Sequence, residues 1–310
     1  MSFYDEIFAD IKRTHVIVNA EAGHGKSTSI KTLISELKKR EPKIIIKVFD
    51  VSNVWFDNAP LKWRQRIDGD VLIRFLRGEH SFDNLPDCIY EMGDLGEDEC
   101  RFFTAMIVKQ DYESRRAVAK QYGMKAVKDL PFVIYVFEEA DMYFDSTGLN
   151  TKRDFQLMLE NKEGRFQLKV VNPAEKLRSF IKVGRNFGMR GLCIVTASVG
   201  ELATKLRRRS KHIIGRIIND SDVREYNKKV KNMGNLALQI ERFHWLYYNG
   251  ENVFGPFRIE DTVTQVPTDY VIEHKKGDIT IKVGEPPQLN PWPAIAFILI
   301  CIIFILLMMK

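Results

Sequence analysis

The stretch A-E-A-G-H-G-K-S, Ala20 to Ser27, decides the fold of this 310-residue chain. Ahead of it, His15 to Asn19 reads H-V-I-V-N, a short strand. Behind it, Lys26 to Lys39 sets Ile30, Leu33, Ile34 and Leu37 at helical spacing. A strand, a glycine-rich loop and a helix make a phosphate cradle: backbone N–H groups point inward, a helix N-terminus stands behind them, a lysine reaches the β- and γ-phosphates and a hydroxyl serves magnesium. Glu21, Ala22, Gly23, His24, Gly25, Lys26, Ser27 and Thr28 are the expected nucleotide contacts, with Ser27 on the metal. The first glycine of G-x-x-x-x-G-K-[ST] is replaced by Ala20, which must therefore keep an ordinary backbone conformation.

The second element lies downstream. Phe132 to Phe137, F-V-I-Y-V-F, is an apolar run that reads as a strand buried on both faces, and Glu138-Glu139-Ala140-Asp141 ends it. Carboxylates at the C-terminal tip of such a strand sit where open α/β sheets bind ligands. Successive side chains diverge, so Glu138 is assigned to Mg2+ and Glu139 to the attacking water. ATP and Mg2+ are the expected cofactors.

A third block, Ile181 to Ser198, reads I-K-V-G-R-N-F-G-M-R-G-L-C-I-V-T-A-S, followed by K-H-I-I-G-R-I-I-N-D-S-D from Lys211 and G-P-F-R-I from Gly255. With these blocks the chain resembles the HerA/FtsK group of ring-forming DNA-pumping ATPases over roughly residues 10 to 260. What the resemblance implies is an α/β, RecA-like P-loop NTPase (ASCE) fold with a mostly parallel central sheet. It also implies an Arg-aromatic-Gly helix end and a Thr-Gln sensor. This chain departs in having Glu138 where Asp is usual and Ala197 at the sensor glutamine, which leaves Thr196 or Ser198 to feel the γ-phosphate. An arginine from a neighbouring subunit is the expected charge stabiliser, with Arg185 first and Arg190 and Arg216 behind it.

The rest of the chain supplies context. Further strands are expected at Lys43–Phe49, Cys88–Met92, Gly191–Thr196 and His212–Ile218, with helices over Asp98–Tyr122 and Ala174–Phe187. Leu236–Tyr248 reads as strand, Val253–Ile259 as its antiparallel return across Asn249-Gly250, and a second hairpin turns across Lys275–Asp278. Residues 144–172 form an insertion whose Lys152, Arg153 and Lys162 are candidates for a pore lining. Trp55, Trp63 and Trp245 read as core or interface. Domain bounds are expected at 1–261 for the ATPase, 262–293 for a β-hairpin and a proline-rich linker, and 294–310 for a transmembrane tail anchor.

Apolar residues make up 45% of the chain, enough for a packed core, and the formal net charge of +6 suits an anionic partner without choosing between nucleic acid and lipid. Cys88, Cys100, Cys193 and Cys301 are scattered, which excludes a C-x-x-C metal framework. The acid-bearing start M-S-F-Y-D-E-I-F-A-D has no signal-peptide core, so the ATPase domain is expected on the cytoplasmic side. From Ala294 to Met309 sixteen consecutive residues are apolar, preceded by Pro291-Trp292-Pro293 and closed by Lys310. At 1.5 Å per residue that run spans roughly 24 Å, enough to cross a bilayer with Trp292 and Lys310 at its two interfaces.

Lys205–Lys211, K-L-R-R-R-S-K, can track a phosphate backbone, form a solvated helix face or touch a neighbouring subunit. The expected function is a membrane-anchored homo-oligomer, a hexamer by the resemblance, that moves double-stranded DNA in viral genome packaging or plasmid transfer. Two alternatives stay open: an assembly or secretion ATPase resembling the Zot-like proteins of filamentous phages and acting on coat protein, and a membrane scaffold that binds ATP with little turnover.

Overall fold

The structure is a computed structural model that describes residues 3–55, 61, 64–82, 87–145, 155–160, 166–195, 198–259, 270–275 and 278–283. Thr196, Trp63, Lys152, Arg153, Lys162 and the apolar run from Ala294 lie outside them. Among the described residues no helix is long and apolar enough to cross a membrane.

Thirteen described strands run β1 Val16–Asn19, β2 Ile45–Asp50, β3 Arg64–Arg66, β4 Cys88–Glu91, β5 Val133–Phe137, β6 Phe155–Glu160, β7 Phe166–Val171, β8 Met189–Val195, β9 Lys211–Ile214, β10 His244–Tyr248, β11 Val253–Arg258, β12 Tyr270–Lys275 and β13 Asp278–Val283. The α-helices are α1 Phe3–Ile11, α2 Lys26–Arg40, α3 Gly69–Leu76, α4 Glu97–Asp129, α5 Ala140–Phe144, α6 Pro173–Val183, α7 Thr204–Arg209, α8 Asp220–Lys229 and α9 Met233–Ala237. Nine strands form one sheet in the order β11-β10-β9-β1-β8-β5-β2-β4-β3. From β9 to β3 every neighbouring pair is parallel, and β10 and β11 close one edge antiparallel. The insertion forms the β6–β7 hairpin, and β12–β13 pair with Lys275 opposite Asp278, where the second hairpin was expected.

Alternation along buried strands builds two cores. Val16, Val18, Ile46, Val48, Ile134 and Val136 face α1 and α2 through Ile7, Ile30, Leu33 and Leu37, while Ile17, Phe49, Tyr135, Phe137 and Cys193 face the other side with Phe102, Phe103, Phe180 and Tyr226. Helices on both faces of a parallel sheet leave one free end for ligands, the C-terminal end of the strands. Because β8 lies between β1 and β5, the segments that follow these three strands emerge side by side there.

Two strand expectations are corrected. Leu236–Tyr248 is not one strand: α9 occupies Met233–Ala237, since Gly234 packs so closely that a Cβ there would stand 2.3 Å from Val223 O, and the strand starts only at His244. His212–Ile218 likewise stops at Ile214, after which Gly215 and Arg216 turn onto the glycine-rich loop, Arg216 O accepting from Glu21 N at 2.7 Å.

The far end of α2 is fixed by a buried ion pair. Lys38 Nζ donates to Asp87 Oδ2 at 2.8 Å, to Ile44 O at 2.6 Å and to Pro42 O at 3.0 Å, while Asp87 Oδ1 accepts from Ile46 N at 2.7 Å. Both side chains are fully buried, so deleting one partner strands the other's charge. Asp87→Ala is expected to cost about 3–5 kcal/mol of unfolding free energy, measured by urea titration. A loss below about 1 kcal/mol would show that Lys38 finds water or another partner.

Candidate nucleotide site

The chain between β1 and α2 turns through two left-handed glycines, Gly23 at φ 75° and Gly25 at φ 94°. At Gly25 a Cβ would stand 2.2 Å from the Phe243 ring, so glycine is required there by space as well as by conformation. Ala20 is not among the positive-φ residues, which is why alanine is tolerated at that position. Ala22 and Gly23 are exposed at the tip, and Ser27 and Thr28 are half-buried in the first turn of α2.

Lys26 Nζ folds into the loop and donates to Ala20 O at 2.8 Å and Glu21 O at 3.1 Å. Burial pulls its pKa down, against the charges of Glu138, Asp141 and Glu21. Incoming phosphate oxygens would replace two neutral carbonyls with charged acceptors, a stronger set of partners for an ammonium. His24, expected among the nucleotide contacts, turns its side chain away: it is buried edge-on against Trp245 at 4.8 Å, and its Nε2 lies 3.0 Å from His244 O. Burial lowers its pKa and favours the neutral imidazole, so only its backbone is offered to a phosphate.

Glu138 and Glu139 diverge. Glu138 is 3% exposed, and Trp55 Nε1 donates to its Oε1 at 2.7 Å while the Ser27 hydroxyl bonds to it as well. Burial raises its pKa to about 7, with the nearby Asp50 carboxylate adding to the rise and the bonds from Trp55 and Ser27 opposing it. Asp50 is itself spent on backbone, accepting from Val54 N at 3.2 Å and Trp55 N at 3.0 Å, and this turn delivers the indole to Glu138. A buried carboxylate beside a hydroxyl at the first turn of α2 is a donor pair that suits Mg2+, which binds through few protein ligands and keeps several waters. Among the described residues no larger group of His, Cys, Asp and Glu is arranged to hold a metal.

Glu139 leaves the strand at φ 49°, a conformation seldom adopted by a non-glycine residue and one that concentrates at functional sites. Its Oε1 accepts from Ser52 Oγ at 2.7 Å. It lines an open cleft of about 520 Å³ together with Glu97, Asp141, Asp145 and Glu201. Arg101 pairs with Glu97 and Asp145, whereas Asp141 is near enough to raise the Lys26 pKa and is a carboxylate that sequence reasoning passed over.

Ser198, a sensor candidate, is engaged elsewhere. Its hydroxyl donates to Asp222 Oδ1 at 2.5 Å, and Asp222 Oδ2 accepts from Asn19 Nδ2 at 2.8 Å. The end of β1, the segment after β8 and the start of α8 are thus tied by one buried carboxylate; the other sensor candidate, Thr196, lies outside the described residues.

The three arginines part company. Arg190 is buried and donates to the carbonyls of Lys12, Arg185 and Met189, so it is withdrawn as a candidate for a neighbour's nucleotide. Arg216 pairs with Glu21 at 2.7 Å, on its own glycine-rich loop. Arg185 is exposed on the turn before β8, at the end of the sheet opposite the loop, and cannot serve its own site. Trp55 is a core residue, as expected, and its indole also orders Glu138.

No family model matches the chain, and no curated protein sequence matches it. Solved structures do resemble it. The genome packaging NTPase B204 of Sulfolobus turreted icosahedral virus 2, in complex with ATP-gammaS, is 14% identical, with 80% of this chain and 99% of that one covered and a TM-score of 0.47. The pCW3 conjugation coupling protein TcpA is 14% identical over 81% of this chain and 62% of that one, TM-score 0.48. VirB4 of Thermoanaerobacter pseudethanolicus is 11% identical over 79% and 89%, TM-score 0.46. Each likeness is one of fold; the chemistry of the site rests on its own geometry.

Glu138 also makes stability depend on pH. Between its unfolded value of 4.5 and its folded value of about 7 the native chain holds a proton that unfolding releases. Stability contributed by this group therefore falls as pH rises through that window and stays low above it. Without nucleotide or magnesium, Glu138→Gln should match wild type near pH 4.5 and become more stable than it by up to about 3 kcal/mol at pH 8, read by denaturant unfolding. Parallel curves across this range would show that Glu138 is ionised throughout.

Proposed function

We propose that this chain hydrolyses ATP and couples hydrolysis to movement of duplex DNA through a ring of identical subunits. The observation that carries the nucleotide reading is the meeting of Lys26, Ser27 and Glu138 at the C-terminal end of one parallel sheet. Magnesium held by Ser27 and Glu138 would neutralise charge on the β- and γ-phosphates. Lys26 exchanges its loop carbonyls for those phosphates, and Glu139, leaving the strand in a left-handed turn beside the acidic cleft, orients and deprotonates the attacking water. Asp222 holds Ser198 and Asn19 in fixed relation, which gives the site a connection to α8.

Two features support a ring and a polyanionic substrate. Arg185 stands opposite its own loop, as a residue supplied to a neighbour's nucleotide would. Arg209 is exposed at that same end, where it and Arg185 both act electrostatically on His15, and Arg208 is exposed next to it in the chain. Arg207 belongs to the fold instead, pairing with Glu225 at 2.7 Å and donating to Leu202 O. The hexameric count rests on the resemblance, and the membrane anchor and a cytoplasmic motor rest on the apolar run Ala294–Met309.

Lys26→Ala should weaken ATP binding, and Glu139→Gln should keep binding while lowering turnover by on the order of a hundredfold or more. Turnover at the wild-type rate in Glu139→Gln would move the water-activating role to another carboxylate, Asp141 first. Arg208→Ala with Arg209→Ala should weaken duplex binding and flatten its salt dependence, with hydrolysis in the absence of DNA unchanged. Absence of both duplex binding and DNA stimulation in the full chain would favour the assembly ATPase acting on coat protein.

Mixing Arg185→Ala with Glu139→Gln subunits should restore part of the activity that either lacks alone. No recovery in mixed rings would remove Arg185 from the neighbour's site.

A further inference from the structure

Beside the glycine-rich loop lies a second cavity, of about 410 Å³, lined by the apolar Leu236, Ile240, Leu246 and Pro256 and by the polar Gln239, Glu241 and His244. We propose that it receives the purine base of the nucleotide whose phosphates Lys26 and Ser27 hold; the inference rests on the nucleotide reading above. The volume falls within the ~300–1,000 Å³ usual for small-ligand sites, and the lining has the character such sites share, apolar walls with a few polar groups at the edge. A purine has that same division, two apolar faces and a hydrogen-bonding rim.

Position is the stronger argument. The segment that walls the cavity also touches the phosphate loop at three points. Phe243 lies against Gly25, His244 O meets His24 Nε2, and Trp245 packs on the His24 ring. Phe243 is held at φ 62°, rare for a bulky side chain, so the turn that joins loop and cavity is maintained against its own backbone preference. At the mouth Leu236 is 53% exposed although it is a leucine beside a cavity, which fits a surface covered when ligand arrives. Gln239 and Glu241 offer acceptors for an exocyclic amino group, Gln239 by its amide oxygen and Glu241 by a carboxylate whose Oε2 lies 3.9 Å from His244 Nδ1.

The test separates base from phosphate. Displacement of a ribose-labelled fluorescent ATP from the full chain is followed with two competitors, ATP and inorganic tripolyphosphate, each with magnesium. Leu236→Ser removes an apolar wall from a residue already half in solvent, and Gln239→Trp fills the cavity from an exposed position. Both should weaken ATP by about tenfold or more and leave tripolyphosphate unchanged, whereas Lys26→Ala should weaken both. ATP affinity indifferent to Leu236→Ser and Gln239→Trp would overturn the base pocket alone. So would a shift in subunit association with ATP affinity intact, which would make the patch a contact between copies. Wild-type chain that binds neither competitor would overturn the nucleotide reading, and the pocket with it.

Discussion

A carboxylate kept almost wholly from water, yet within reach of a hydroxyl and an indole, is the constraint on which this site depends. Glu138 sits at the end of a strand buried on both faces, and burial raises its pKa to about 7, so that near neutral pH it is divided between its protonated and ionised forms. Trp55 and Ser27 bond to it without removing that penalty. Such a group is poised: a divalent cation brought by a nucleotide would offset the cost of its charge and favour the ionised form. Lys26 is arranged on the same logic, its ammonium satisfied by two loop carbonyls that phosphate oxygens can replace.

The sheet order makes these meetings possible. With β8 between β1 and β5, the phosphate loop, the acidic turn and the Ser198 segment share one end, and Asp222 links the first and third through Asn19 and Ser198. The antiparallel edge adds a clamp from outside the parallel core: Phe243, His244 and Trp245 press on the loop and fix His24. Arg185 and Arg209 stand at the other extremity of the strands, away from the glycine-rich loop.

Much of this was legible in the sequence because it is local. Gly23 and Gly25 mark a turn that only glycine makes readily, Lys26 and Ser27 follow at helix start, and the unbroken apolar run before Glu138 can only be an internal strand. What stayed hidden depends on distant partners. Trp55 is core, as its type suggests, but nothing in its neighbourhood shows that Asp50 folds the chain back to bring the indole to Glu138. Asn19 and Asp222 are joined only by the crossing of the sheet. Arg190 resembled Arg185 in composition, and burial against three carbonyls is what separates them. At Leu236–Tyr248 apolar content suggested a long strand, but the close approach of Gly234 to α8 demanded a helical turn first.

The central claim, that burial raises the Glu138 pKa to about 7 and that a magnesium nucleotide would displace its proton, is open to direct observation by infrared difference spectroscopy of the full chain at about pH 6. A protonated-carboxyl band should be present in nucleotide-free protein, vanish when MgATP is added, and be missing from Glu138→Gln throughout. A wild-type spectrum without that band, or one in which MgATP leaves it unchanged, would contradict the account.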